Sequence, residues 1–126
     1  MRHPLLLPVT ALAVMVTVSA CGGSDSNGPG NPPAADVAIV SGAATKGFQA
    51  YNPDTIQVSL AAGGTVTWRT DDGTGHTVTD TTVANAFSVA FSSKNDTASV
   101  VFAATGEFPY KCSIHPGMRG LVIVNP

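Results

Sequence analysis

The chain has 126 residues, with six lysines and arginines against eight aspartates and glutamates, so its formal net charge is −2 at neutral pH. This mildly acidic balance, without a basic stripe, argues against nucleic acid as a partner, because phosphates are bound by clustered cations.

Residues 1–20 read as an export signal. A short basic head is followed by an apolar stretch and then by Val18-Ser19-Ala20 in front of Cys21. A membrane-spanning helix is the alternative, but the stretch is at the short limit for spanning and contains Pro4 and Pro8. Val18-Ser19-Ala20-Cys21 resembles the bacterial lipobox, and the resemblance implies that Cys21 is the processed, lipid-bearing N-terminal residue.

Residues 21–35 are rich in glycine, serine and proline and cannot form a core. We interpret them as a tether that would reach about 45–50 Å when fully extended. A disulfide between Cys21 and Cys112 is the alternative use of the first cysteine. It would place one partner in the tether and would remove the only other thiol of the chain.

Residues 36–126 suit one small domain. Short β-rich runs are separated by Gly, Asn, Asp and Pro turns, which predicts an all-β sandwich. We expect Asp71-Asp72 to form a solvated turn. The predicted strands are Val37–Ser41, Thr55–Leu60, Thr65–Thr70, His76–Thr79, Ser99–Ala103, Phe108–Cys112 and Leu121–Val124.

Alternation along two of these strands points two side chains inward. His76 shares a strand face with Val78, and Cys112 shares one with Tyr110, while Lys111 faces the other way. Both candidate ligands therefore lie at strand ends, which a sandwich can bring together at one pole.

After Cys21 the chain contains two histidines, one cysteine and one methionine. Cys112, His115 and Met118 fall within seven residues, and His76 lies 36 residues before Cys112. Two imidazoles, a thiolate and a weak axial thioether describe a blue-copper electron-transfer site. Zinc is the alternative metal, although it prefers Cys, His and carboxylate ligands to a thioether.

The sequence resembles the cupredoxin family of small type 1 copper proteins, in the plastocyanin, pseudoazurin and amicyanin group. The resemblance rests on Thr65-Val66-Thr67-Trp68, Gly75-His76-Thr77-Val78, the run from Gly106 to Met118, and Gly120-Leu121-Val122-Ile123-Val124. It implies a Greek-key β-sandwich that binds one copper ion, cycling between Cu(II) and Cu(I). By this likeness His76 and His115 are the imidazole ligands, Cys112 the thiolate and Met118 the axial ligand.

Two neighbours of the ligands are expected to act on the sulfur. Many family members have asparagine after the first histidine, where this chain has Thr77. We expect the backbone N–H groups of Thr77 and Ile114 to be available to the Cys112 sulfur. The resemblance also implies that His115 is the electron port and that Ile114 and Pro116 belong to the docking surface.

The leading interpretation is a monomeric one-electron carrier, not an enzyme, that exchanges electrons with redox proteins. We expect it in the bacterial cell envelope, exported and held by its lipid anchor at the periplasmic or extracellular face of a membrane. A copper delivery or storage protein is the alternative. An oxidase or nitrite reductase would need a second copper centre with further histidines, and residues 22–126 contain none beyond His76 and His115.

Overall fold

The computed structural model describes residues 34–126. The predicted export signal, the Cys21 anchor and all but the last two residues of the predicted tether lie outside the described residues. Within residues 34–126, no helix has the length and apolar character needed to cross a membrane.

Within residues 34–126, nine strands form two sheets, as the all-β interpretation predicts. One sheet has four strands in the order β2-β1-β4-β7, and the other has five in the order β3-β9-β8-β5-β6. The strands are β1 Val37–Ile39, β2 Tyr51–Asn52, β3 Thr55–Ser59, β4 Thr65–Thr70, β5 His76–Asp80, β6 Ser88–Phe91, β7 Thr97–Val101, β8 Gly106–Lys111 and β9 Arg119–Asn125.

Both sheets contain one parallel pair. β1 runs parallel to β4, with Val37 beside Trp68, and β3 runs parallel to β9, with Thr55 beside Leu121. The remaining pairs are antiparallel, including β8 with β9, in which Lys111 lies opposite Arg119. These pairings gather the ends of β4 and β8 and the starts of β5 and β9 at one pole of the sandwich.

The core fills the space between the sheets with alternate residues of each strand. In β4 the buried residues are Val66, Trp68 and Thr70, and in β5 they are His76, Val78 and Asp80. The predicted inward orientation of His76 is therefore confirmed. Trp68, Phe87, Phe91 and Phe102 are buried and Phe108 packs against them, as expected of core aromatics.

Two of the strands, β2 and β6, are not predicted by the sequence pattern. The three short 3₁₀ helices at Ala43–Thr45, Gly47–Gln49 and Leu60–Ala62 are not predicted by it either. β2 has two residues, too few for an alternation pattern. β6 stands at the edge of its sheet and, among the described strands, pairs with β5 alone. The segment from Ala43 to Gln49 matters for the site, because it packs beside the ligand loop.

Candidate metal centre

Three predicted ligands meet at the pole of the sandwich. His76 begins β5, Cys112 follows β8, and His115 lies in the loop between β8 and β9. The ligand atoms of these three residues all lie within 4.8 Å of one another. The Cys112 sulfur is 3.8 Å from Nδ1 of His115, and the two histidine rings have centroids 5.1 Å apart. The three side chains could therefore hold one metal ion.

The nitrogens of the His76 ring have different surroundings. Nε2 lies 3.1 Å from Oδ2 of Asp72. A carboxylate only accepts hydrogen bonds at neutral pH, so we assign the ring proton to Nε2. Nδ1 is buried and has no hydrogen-bond partner. An unpartnered buried lone pair is costly, and a metal ion would satisfy it. This nitrogen fits the copper that the ligand set predicts.

The carboxylate of Asp72 corrects our expectation of a solvated turn. Only 13% of the side chain is exposed. Oδ2 also accepts the backbone N–H of Ala43 at 3.2 Å, and Oδ1 accepts that of Thr74 at 3.3 Å. The hydrogen bond from His76 is the main reason why the pKa of Asp72 lies below its ordinary value. Asp72 thus orients a ligand and fixes the turn that leads to it.

The loop from Cys112 to Met118 is closed by its own backbone. The N–H of Cys112 donates to the carbonyl of Met118 at 3.1 Å, and the N–H of Met118 donates to the carbonyl of His115 at 3.0 Å. The Met118 side chain is fully buried in the core cluster. These bonds put Met118 at the end of a tight loop that holds Cys112 and His115. The role of Met118 as axial ligand stays a prediction.

Thr77 joins the two parts of the site through three groups. Its N–H donates to the Cys112 sulfur at 3.3 Å, as predicted. Its carbonyl accepts the hydroxyl of Tyr51 at 2.7 Å, and its Oγ1 accepts the N–H of Ser113 at 2.8 Å. Thr77 therefore ties the ligand loop to β5 through its side chain.

The expected hydrogen bond from the Ile114 backbone N–H to the Cys112 sulfur is not found in the described residues. Among the described residues, the hydrogen bonds of the Cys112 sulfur run to Thr77 and His115, and none comes from Ile114. Its side chain lies beside the turn before β5, where a Cβ added to Gly75 would be 3.8 Å from Ile114 Cδ1.

A hydroxyl cluster extends from Thr77 over the outer face of the larger sheet. The Oγ1 of Thr79 lies 3.1 Å from that of Thr77 and 3.0 Å from Oγ of Ser88. The hydroxyl of Ser113 donates to Thr79 Oγ1 at 3.1 Å. The ligand loop is thus joined through side chains to both β5 and β6, which restricts its movement.

Aromatic rings support the site from the core. The rings of Tyr51 and Tyr110 meet edge to face with centroids 4.9 Å apart, and Tyr110 meets Trp68 in the same way at 5.6 Å. Burial raises the pKa of Tyr110 to about 12, and burial also raises that of Tyr51, so both phenols stay protonated at neutral pH. The Tyr51 hydroxyl therefore remains a donor to Thr77.

The predicted docking residues are at the surface. Ile114 is 57% exposed, Pro116 is exposed, and His115 is half-buried between them. His76, Cys112 and Met118 are fully buried. His115 is therefore the ligand of the cluster that comes nearest to solvent.

Asp72 and Tyr51 contribute to the site but were missed in the sequence. Asp72 precedes His76 by four residues, a spacing that could have suggested a carboxylate-histidine pair. Tyr51 carries no such signal, because its contact with Thr77 joins residues 26 positions apart and depends on how the sheets pack.

Comparison with known proteins gives a consistent result. A family model described as copper binding proteins of the plastocyanin/azurin family matches residues 38–125. No curated protein sequence matches the chain. Among solved structures, a purple cupredoxin from Nitrosopumilus maritimus is 28% identical with a TM-score of 0.63, covering 71% of this chain and 97% of its own. A reduced amicyanin variant is 29% identical with a TM-score of 0.50, covering 60% and 72% respectively.

Proposed function

Because the chain belongs to the plastocyanin/azurin family of copper-binding proteins, we propose that it is a one-electron carrier that uses a type 1 copper site. The observation that carries the proposal is the convergence of His76, Cys112 and His115, with their ligand atoms within 4.8 Å of one another. Met118, fully buried at the end of the same loop, is the proposed axial ligand. Copper bound there would supply the Cu(II)/Cu(I) couple.

The residues around the ligands support this function by holding them still. Asp72 fixes the His76 ring, and Thr77 connects β5 to the ligand loop through Cys112 and Ser113. A frame that keeps one geometry in both oxidation states lowers the reorganisation that accompanies electron transfer. The hydrogen bond from Thr77 to the thiolate also favours the oxidised state.

The burial of the ligands supports a carrier over a delivery protein. Handing copper to another protein requires ligands that a partner can reach, yet His76, Cys112 and Met118 are fully buried. An electron needs only a short path to the surface, which half-buried His115 offers. We propose His115 as the electron port, with exposed Ile114 and Pro116 in the docking surface.

The sequence also supports a carrier over an enzyme. A catalytic copper centre beside the type 1 site would need further histidines, whereas residues 22–126 contain only His76 and His115. We propose that the partners are a redox donor and a redox acceptor in the cell envelope.

We further propose that residues 1–20 direct export and that Cys21 bears the lipid anchor. The support is the apolar stretch that ends in Val18-Ser19-Ala20-Cys21, followed by a tether rich in glycine and proline. The test is detergent partition of the native protein compared with Cys21→Ser. A wild-type protein that stays in the aqueous phase after processing at another residue would contradict the anchor.

Visible absorption and EPR spectra of the Cu(II)-loaded protein test the copper assignment. We expect an intense sulfur-to-copper charge-transfer band that is absent in Cys112→Ala, while the apo forms of both proteins keep the same β-sheet circular dichroism. Rapid, reversible reduction without metal loss would distinguish a carrier from a delivery protein. Preference for zinc, or a colourless Cu(II) complex, would contradict the proposal.

A further inference from the structure

Two cations flank the ligand loop. Lys111 is the last residue of β8 and Arg119 the first of β9, so they stand immediately before Cys112 and after Met118. They face each other across the antiparallel pair. Directly opposed residues have Cβ atoms about 4.5–5.5 Å apart, and like charges in such a pair destabilise a sheet. Folding stability therefore does not account for this arrangement.

Both cations lie on the outer face of the larger sheet. Tyr110 and Cys112, on either side of Lys111, are buried in the core, and so is Met118 before Arg119. Side chains alternate along a strand, so Lys111 and Arg119 point away from the core. Lys111 is also paired with Thr79, whose hydroxyl belongs to the cluster that reaches Ser113 of the ligand loop.

Neither cation forms an ion pair within the described part of the chain. The ion pairs there are Arg69 with Asp71 and His76 with Asp72. On the outer face of β8 the next carboxylate is Glu107, four residues from Lys111, or about 13 Å along the strand. Asp54 lines a cavity together with Arg119, but the two do not form an ion pair.

A third cation, Lys46, stands in the 3₁₀ segment beside the loop, with its Cε 3.8 Å from the position that a Cβ added to Gly42 would take. Lys46 precedes Gly47, where an added Cβ would be 3.8 Å from the carbonyl oxygen of Gly117. Lys46 also lacks an ion pair among the described residues. The ligand loop of a mildly acidic protein is thus bordered by three cations that the protein itself leaves unpaired, and we call Lys46, Lys111 and Arg119 the basic rim.

We propose that the basic rim docks the acidic surface of a redox partner protein against the ligand loop. The inference rests on the proposed electron-carrier function. It adds charge complementarity to the apolar contact of Ile114 and Pro116, because a carboxylate-bearing surface would pair with the rim while the apolar residues meet at the centre. Charges at the edge of an interface mainly raise the association rate and orient the encounter.

Small redox ions of opposite charge can probe the electrostatic potential beside the ligand loop, so the test does not require the partner protein to be known. The full, copper-loaded protein is oxidised in a stopped-flow instrument by anionic hexacyanoferrate(III) and by a cationic tris(phenanthroline)cobalt(III) complex. The runs are made at about 10 mM ionic strength, where the screening length is about 30 Å, and again at high salt. We expect Lys111→Gln with Arg119→Gln to slow the anion about 3- to 10-fold at low salt, with no slowing of the cation and an unchanged visible band.

A matched control separates local from net charge. Ala61→Glu with Ala62→Glu changes the net charge by the same amount as Lys111→Gln with Arg119→Gln, but both alanines lie beyond the end of β3 at the opposite pole. The control should have the smaller effect. Equal effects of the two variants would overturn the role of the basic rim and leave the electron-carrier function standing. Fast oxidation at a rate that does not depend on the charge of the oxidant would do the same. Failure of both oxidants to react would overturn the electron-carrier function and this inference with it.

Competitors identify the kind of occupant. Polyglutamate should slow oxidation by hexacyanoferrate(III) at low salt, and the Lys111→Gln, Arg119→Gln variant should lose this inhibition. Vesicles of phosphatidylglycerol form the second arm. Competition by polyglutamate, with or without competition by vesicles, is the expected result. Competition by vesicles alone would assign the rim to a membrane surface and overturn the proposed protein partner.

Discussion

Asp72 Oδ2 lies 3.1 Å from His76 Nε2, and the same oxygen accepts the backbone N–H of Ala43 at 3.2 Å. One carboxylate therefore connects a buried ligand to the 3₁₀ segment that packs near the ligand loop. Because it holds the proton on Nε2, the free Nδ1 of the ring is left for the metal.

Asp72→Ala should weaken copper binding about 10- to 100-fold, the usual effect of removing a partner that orients a ligand. It should also raise the reduction potential, because a less basic imidazole stabilises Cu(II) less. A tenfold greater loss of Cu(II) than of Cu(I) affinity corresponds to about 59 mV. Potentiometric titration and chelator competition measure both. Asp71→Ala, which breaks the pair with Arg69 instead, is the control, and equal effects would contradict the role of Asp72.

Thr77→Val should destabilise the apo protein by about 1–2 kcal/mol, because the Ser113 N–H loses its acceptor and the hydroxyl cluster loses a member. The visible band should persist but shift, since the backbone bond from Thr77 to Cys112 remains. Thr67→Val, which breaks a hydroxyl pair with Ser99 on the other sheet, should leave the band in place. Chemical denaturation and absorption spectra measure these effects, and an unshifted band in Thr77→Val would show that the side-chain tie is unimportant.

Met118→Gln should keep copper bound and lower the reduction potential, because a harder oxygen ligand favours Cu(II) over Cu(I). Cyclic voltammetry measures the change. Met118→Leu is the control for packing: it fills the same buried space without a donor atom and should raise the potential. If Gln and Leu shifted the potential in the same direction, Met118 would be a core residue with no axial role.

Asp80 should make the folding stability of the protein depend on pH in the acidic range. Burial raises its pKa, but the bonds from Thr82 N–H, Thr82 Oγ1 and Ala86 N–H, at 2.8, 2.6 and 2.7 Å, outweigh burial and leave the pKa below its ordinary value. A lowered folded pKa stabilises the protein above the unfolded pKa of about 3.9, and this stability is lost as pH falls through the folded pKa.

The variant Asp80→Asn tests this dependence by urea unfolding of the apo protein at about pH 6 and at about pH 3. It should be less stable than the wild type at the higher pH and should lose less stability on acidification. Glu107→Gln, at an exposed carboxylate without a described hydrogen bond, is the control. Parallel pH profiles for wild type and Asp80→Asn would rule out this contribution.

The ligand cluster could be predicted because its residue types are rare in the chain. With two histidines, one cysteine and one methionine after Cys21, the spacing of His76, Cys112 and His115 left few other arrangements. Alternation then predicted which strand faces carry His76 and Cys112, and the burial of both residues agrees. The β-sandwich followed from the turn spacing and is confirmed.

The supporting contacts could not be predicted in the same way. Asp72 sits in a polar turn, and the N–H groups of Ala43 and Thr74 hold its carboxylate against His76. Tyr51 lies in a two-residue strand whose existence depends on β1. Interactions of this kind belong to tertiary structure, whereas periodicity reports only which face of a strand is buried.

The direction of β1 sets how the domain is presented to its surroundings. Val37 lies level with Trp68, and the strand runs parallel to β4 toward the pole that holds the ligands. The chain therefore enters the domain from the side opposite the ligand loop. If the preceding residues attach the protein to a membrane, as we propose, the connection does not reach the domain at His115 or at the basic rim, so it would not cover the surface that a diffusing protein needs.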